Sequence, residues 1–267
     1  MTSSDSPVDR AAARLRTAAS TLTPCAPVRD LIGSTSISAA YAVQEKLTSA
    51  LRAEGAVVVG RKIGLTSPAV QQQLGVSQPD FGVLFSDMQV AAGEAVPGGR
   101  LLQPKIEAEI AFVLGGDLVE GELDRGQVRE SVAYAVAALE IVDSRIAGWD
   151  ITFADTVADN ASSGLFVLGA ERRSLGEFEP VEATMVMVRD GEEVSTGTGA
   201  ACLGDPLEAL RWLASTARDL GQPLRAGQVI LSGALGPMVS VQPGDEFTAT
   251  IRGLGSVTSR FSRKVPA

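Results

Sequence analysis

The sequence predicts an α+β fold. Residues 1–55 carry apolar positions at helical spacing. From residue 56 the apolar positions fall instead in short runs rich in Val, Ile and Phe, the character of strands. Helical segments then recur among the strands without the regular alternation that a doubly wound sheet requires. With 267 residues, 45% of them hydrophobic, the chain is long enough to bury a large core.

Val8, Ala11, Ala12, Leu15, Ala18, Ala19 and Leu22 share one face of a helix over 8–22, which Pro24 and Pro27 end. A second helix over 38–54 has Ser38 as its cap, turns Ala42, Leu47, Ala50 and Leu51 inward, and stops at Gly55. Residues 56–65 read as a buried strand, 67–75 as a short helix opening on Pro68, and 79–88 as a loop leading into a strand. Gly and Pro mark turns through 89–104. Residues 105–115 form an alternating strand, 124–137 a helix and 137–145 a strand. Asp190-Gly191 suits the turn of a hairpin over 183–197. Asp205 caps a helix over 205–221, with Pro206 in its first turn and Gly221 at its stop. Strands at 228–233, 246–252 and 256–262 complete the chain.

Composition removes many functions. There is no His, so no Ser-His-Asp or Cys-His triad, no His-ligated metal and no imidazole relay. A metal would sit on carboxylates, which favours Mg²⁺, Mn²⁺ or Ca²⁺. The net charge of −9, without basic runs, argues against nucleic acid and anionic membranes as partners. Two cysteines, far apart, fit a reducing compartment. No apolar run reaches membrane-spanning length, and arginines stand where a signal peptide needs apolar residues, so a cytoplasmic protein is expected. No P-loop, nucleophile elbow or dinucleotide fingerprint occurs.

The strongest chemical signal is Lys105-Ile-Glu-Ala-Glu-Ile110. Side chains two apart on a strand share a face, so Glu107 and Glu109 point together, with Ile106 and Ile110 opposite. Either this is the polar outer face of an amphipathic strand, or a cation lies between the two acids and relieves their repulsion. Glu140 stands inside the apolar run Ala138-Leu-Glu-Ile-Val142, where a carboxylate needs a partner. That partner is Arg145, or a metal shared with Glu107 and Glu109. Three carboxylates on Mg²⁺ would leave about three octahedral positions open, enough for a bidentate 2-oxo acid and water. Lys62 falls in an apolar strand end. Only four of the 23 basic residues are Lys, so its presence there suggests an ammonium that binds a carboxylate or exchanges a proton rather than a snorkelling stem. Asp80 follows Pro79 on a rigid turn, and Asn160, the only Asn, stands beside Ser162 and Ser163 on a loop, with turn chemistry as the plain alternative for both.

Six stretches together resemble a known family. They are Lys62-Ile-Gly-Leu-Thr-Ser67, Val70-Gln-Gln-Gln-Leu-Gly75, Gln78-Pro-Asp-Phe-Gly82, Leu101-Leu-Gln-Pro-Lys-Ile-Glu-Ala-Glu109, Asp155-Thr-Val-Ala-Asp-Asn-Ala-Ser162 and Leu231-Ser-Gly-Ala-Leu-Gly-Pro-Met-Val239. Their order and spacing are similar to 2-keto-4-pentenoate (2-hydroxypenta-2,4-dienoate) hydratases, in the hydratase/decarboxylase branch of the fumarylacetoacetate hydrolase superfamily. The resemblance runs from about residue 10 to 262. It implies an N-terminal helical region over 1–55 and a mainly β, metal-binding catalytic domain over 56–267. It implies Glu107, Glu109 and Glu140 as ligands of Mg²⁺ or Mn²⁺, Lys62 and Asp80 as the proton-transfer pair, Ser162 as a substrate-contacting hydroxyl, and Leu74 and Gly75 as a turn offering backbone N–H groups. It further implies a homo-oligomer, with a neighbouring pathway enzyme as an expected partner.

The implied reaction adds water to a small 2-hydroxydienoate and yields 4-hydroxy-2-oxopentanoate, in aromatic-compound catabolism. Rival readings are a 4-oxalocrotonate-type decarboxylase, another 2-oxo acid lyase on the same site, and a non-catalytic scaffold subunit. Retention of all five charged residues argues against the scaffold. The hydrolase branch activates water with a His–Glu pair, so the lack of His argues against C–C hydrolysis.

Overall fold

A computed structural model describes residues 6–67, 71–72 and 76–263. Three helices open the chain: α1 (Pro7–Thr21), α2 (Arg29–Ile32) and α3 (Ile37–Ala53). A capping box between Ser6 and Asp9 starts α1, and a cap of this kind typically contributes ~1 kcal/mol. Further helices among the described residues are α4 (Arg125–Ser131), α5 (Phe153–Ala158) and α6 (Pro206–Asp219). Among the described residues, no helix is long and apolar enough to cross a membrane.

The strands are β1 (Val58–Gly64), β2 (Asp80–Phe85), β3 (Gln89–Val90), β4 (Ala95–Val96), β5 (Lys105–Leu114), β6 (Val132–Val142), β7 (Ser163–Leu168), β8 (Thr184–Arg189), β9 (Glu192–Thr198), β10 (Val229–Ala234), β11 (Val239–Ser240), β12 (Glu246–Ile251) and β13 (Gly255–Phe261). Among the described residues they form two sheets. The larger runs β2-β1-β10-β5-β6-β7-β3, with β11 also on β5; the smaller runs β4-β13-β12-β8-β9. One core joins Ile106, Ile110 and Leu139 of the large sheet, Met187 and Phe247 of the small one, and Leu210 and Leu213 of α6. The opposite face of the large sheet carries the charged residues singled out in the sequence. The helical segment packs through Ala11, Leu15, Val28 and Val43 against Ile146, Phe153 and Val157. Buried Asp155 locks that contact by accepting from the N–H groups of Val28 and Arg29, each at 2.9 Å.

The α+β architecture, the 183–197 hairpin and most strands agree with expectation. The helix expected over 124–137 does not extend that far: α4 ends at Ser131 and Val132 already belongs to β6. The run Val132–Ala138 suits helix or strand locally, and pairing with β5 decides it. Two helical faces also differ. Ala19 and Leu22 of the first helix, and Ala42 and Leu51 of α3, are exposed, whereas polar Gln44 and Thr48 are buried. Gln44 repays its burial by donating to the carbonyls of Phe81 and Val157, both at 2.9 Å. Of the expected helix over 67–75, residues 68–70 and 73–75 lie outside the described residues, and Leu74 and Gly75 with them.

Gly60 marks where β1 and β10 approach most tightly, since a Cβ there would lie 1.8 Å from the Val229 carbonyl oxygen. Gly60→Ala is expected to force the strands apart and to cost at least about 1–3 kcal/mol, the usual penalty of overpacking. Urea unfolding checks this, and an unchanged midpoint would refute it.

Candidate active site

The site is built on the large sheet. Glu107 and Glu109 project from one face of β5, and Glu140 of β6 lies directly opposite Glu107 in the ladder. One oxygen from each of the three lies within 4.8 Å of the others. All three are buried, with relative exposures of 7%, 0% and 1%. That excludes the reading of an outer polar face. Arg145 is no partner of Glu140 either; it pairs with Asp159.

Lys62 reaches the cluster from β1. Its Nζ lies 3.2 Å from Glu140 Oε1 and donates to the Ala161 carbonyl at 3.0 Å. It is 3% exposed, so the whole side chain is desolvated and nothing snorkels. The adjacent Arg61 projects to the opposite sheet face, over the Phe81 ring, and donates to Gln222. Asp80 opens β2 rather than sitting on a turn, and pairs with Gly64 across the ladder. A side chain at Gly64 would come within 2.2 Å of Asp80 Oδ1 and 3.3 Å of Lys62 Nζ, so glycine there leaves room for both charged groups. Asp80 Oδ1 accepts no hydrogen bond among the described residues, and the Thr156 hydroxyl lies 3.2 Å from that of Ser162. Lys62, Asp80, Glu107, Glu109 and Glu140 are thus buried close together, and Ser162, also buried, follows the Ala161 carbonyl that Lys62 contacts.

Electrostatics follow from that crowding. Burial raises Glu107, and the charge on Glu140 adds to it, bringing Glu107 up to about 7. Burial likewise lifts Glu109 well above its usual range, and raises Glu140 and Asp80. Burial disfavours the Lys62 ammonium, but Glu140, Asp80, Glu107 and Glu109 outweigh it, so Lys62 is raised and stays charged. Glu109 Oε2 accepts from the Gly233 N–H at 2.8 Å, while Glu109 Oε1 and Glu140 Oε2 accept no hydrogen bond among the described residues and Glu140 Oε1 has only the Lys62 ammonium beside it. Buried carboxylate oxygens left without donors are what a bound cation would complete, and an all-oxygen donor set suits a hard divalent ion.

A feature the sequence reading did not find is the backbone at 160–162. Asn160, Ala161 and Ser162 have φ of 55°, 52° and 53°, three successive non-glycine residues in the left-handed region. Each costs roughly 1–2 kcal/mol, so the surroundings must hold the turn in place. The only signal available was a lone Asn, the non-glycine residue that best tolerates such a φ.

The fumarylacetoacetate (FAA) hydrolase C-terminal family model matches residues 53–262, and the chain belongs to that family. Within it the chain is similar to hydratases. It is 56% identical over 237 residues to the "TodF product hydratase" of Pseudomonas putida strain F1, covering 89% of this chain and 88% of that protein. It is 52% identical over 254 residues to "2-keto-4-pentenoate hydratase 2" of Dechloromonas aromatica, covering 95% and 97%. Among solved structures, 4-oxalocrotonate decarboxylase from Pseudomonas putida G7, complexed with magnesium and adipate, superposes with a TM-score of 0.91 at 35% identity, covering 95% and 97%.

Proposed function

We propose that this chain is a divalent-metal-dependent hydro-lyase that hydrates 2-hydroxypenta-2,4-dienoate (2-keto-4-pentenoate) to 4-hydroxy-2-oxopentanoate in the breakdown of aromatic compounds. The observation that carries the reading is the buried trio Glu107, Glu109 and Glu140, whose ligand oxygens cluster beside Lys62 and Asp80 with Glu109 Oε1 and Glu140 Oε2 lacking donors. The names of relatives sharing 56% and 52% identity support the substrate. The same reading divides the chain into a helical region over 1–55 and a catalytic domain over 56–267, and makes it a cytoplasmic homo-oligomer.

Glu107, Glu109 and Glu140 would hold Mg²⁺ or Mn²⁺, which when bound supplies a positive charge to polarise the 2-oxo group and its carboxylate. The dienol must lose the proton on its C2 hydroxyl and gain one at C5. Water then adds at C4 and its second proton goes to C3. Asp80 is suited to move these protons: it is buried beside Lys62 and the carboxylate trio, and burial raises it above the ordinary carboxylate range, which makes the protonated form more accessible. Lys62 keeps its proton and offers a fixed N–H donor to the substrate oxygens or to Asp80. Ser162 offers a hydroxyl on the same side, and Leu74 and Gly75 would add backbone N–H groups.

Loss of dienoate ultraviolet absorbance on adding enzyme and Mg²⁺ or Mn²⁺, with none in chelator, is the expected result. The structural likeness to a 4-oxalocrotonate decarboxylase supports a second reading, decarboxylation of a dicarboxylate on the same residues. Side-by-side turnover decides between them: faster 4-oxalocrotonate consumption would replace the hydratase reading.

Removal of the metal has a pH signature. A carboxyl whose folded pKa lies above its unfolded value stabilises the protein below the unfolded value, and that stability is lost as pH rises through the folded one. For Glu107 the window runs from 4.5 to about 7, and raised Glu109, Glu140 and Asp80 act in the same direction. Metal-free protein is therefore expected to melt lower at pH 7.5 than at pH 5.5. Saturating Mg²⁺ should raise the midpoint more at the higher pH, because binding needs deprotonated ligands. A Mg²⁺ effect that is constant across this range would contradict the cluster as the binding site.

A further inference from the structure

Among the described residues Asn160 makes no hydrogen bond to the carboxylate cluster, yet its surroundings tie it to Lys62. Strand β2 lies at the edge of the large sheet, so the N–H and C=O of Val83 that face away from β1 have no strand to pair with. Asn160 supplies the missing pairing. Its Oδ1 accepts from the Val83 N–H at 2.8 Å and its Nδ2 donates to the Val83 carbonyl at 2.9 Å. The next residue along β2 toward its start, Gly82, stands directly opposite Lys62 in the ladder. A Cβ at Gly82 would come within 2.4 Å of the Asn160 carbonyl oxygen, so the left-handed turn lies flat on that strand.

The turn is also held from behind. Arg145 donates to the Ser163 carbonyl at 2.7 Å and binds Asp159, and Ser163 Oγ donates to the Asn160 carbonyl at 2.7 Å. The outcome is the orientation of two groups: the Ala161 carbonyl, which accepts from Lys62 Nζ, and the Ser162 hydroxyl, which faces Thr156. Without these anchors three left-handed residues would relax, and both groups would turn away.

We infer that Asn160 is a positioning residue: by pinning the 160–162 turn to Val83 it aims the Ala161 carbonyl at Lys62 and Ser162 at the substrate. The inference rests on the hydratase reading for its kinetic consequence, but not for its structural one.

Asn160→Gly separates side-chain anchoring from mere tolerance of positive φ, because glycine adopts that backbone freely. Asn160→Asp keeps the acceptor for the Val83 N–H and sets a carboxylate oxygen against the Val83 carbonyl, and serves as the second variant should glycine unfold the chain. In metal-free protein labelled with ¹⁵N-lysine, only four ammonium groups can report, and Lys62→Met assigns the buried one. The expected result is that the protected Lys62 signal shifts or is lost in both variants. In the same proteins kcat for the dienoate falls by roughly 10–100-fold, the usual scale for losing an outer partner of a reacting group, while KM changes less than about threefold. An unaltered Lys62 signal in a folded Asn160→Gly protein, or kcat within about threefold of wild type, overturns the inference. If the wild type proves not to hydrate the dienoate, the hydratase reading fails, and the lysine signal alone still decides the role of Asn160.

Discussion

Glu140→Ala is expected to weaken Mn²⁺ binding by more than about 100-fold, and to take hydration of the dienoate down with it. Losing an outer partner of a metal ligand costs about 10–100-fold in affinity, so losing a ligand should exceed that range. The geometry points to Glu140 rather than its neighbours. Among the described residues neither of its oxygens accepts from a backbone N–H, whereas Glu109 already has one oxygen satisfied by Gly233. Glu140 also lies nearest to Lys62, so its removal leaves the ammonium to turn toward Glu107 and Glu109. The lysine would then compete with the metal for the two carboxylates that remain. Calorimetry with Mn²⁺ on wild type, Glu140→Ala and Glu140→Gln checks this, with the amide expected to bind weakly but measurably. Unchanged affinity in the alanine variant would remove Glu140 from the site and leave its unsatisfied Oε2 unexplained.

How far the site could be read from sequence depends on whether each relation is local. That Glu107 and Glu109 share a face follows from the strand period alone. That Glu140 lies opposite Glu107 depends on the β5–β6 register, and no local pattern fixes it; only the cost of a lone carboxylate in an apolar run hinted at it. The same limit explains the helix expected over 124–137. Val132–Ala138 has no strong local preference, and it becomes strand because β5 offers a ladder on one side and β7 on the other. The inward face of α3 was misjudged for a different reason. Gln44 and Thr48 look polar but are satisfied inside, by the Phe81 and Val157 carbonyls and by the carbonyl of Glu45, so apolar spacing points to the wrong side. Asn160 was visible only as a rarity. Its backbone is set by Val83 and Arg145, which lie far from it in the chain or bind it through Asp159 and Ser163.

Lys62→Met and Asp80→Asn are each expected to lower kcat by about 10²–10⁴-fold while Mn²⁺ and oxalate still bind, since removal of one acid-base group typically costs that much. The two substitutions differ in what they do to the metal-free site. Among the described residues, Lys62 is the cation that offsets the charges of Glu107, Glu109, Glu140 and Asp80, and it favours the ionised form of all four. Without it the carboxylates repel more strongly, so metal-free Lys62→Met should melt lower than wild type at pH 7.5 and recover much of the loss when Mn²⁺ is added. Asp80→Asn removes a negative group that burial already disfavours, and the amide has the same shape. Its stability should therefore be close to that of wild type or above it, with activity alone reduced. This contrast separates a charge-holding lysine from a proton-moving aspartate. Near-normal turnover in Asp80→Asn would rule out its acid-base role. Loss of oxalate binding in Lys62→Met, with kcat/KM falling only in proportion, would make Lys62 an anchor for the substrate carboxylate and leave the proton transfers to Asp80 and water.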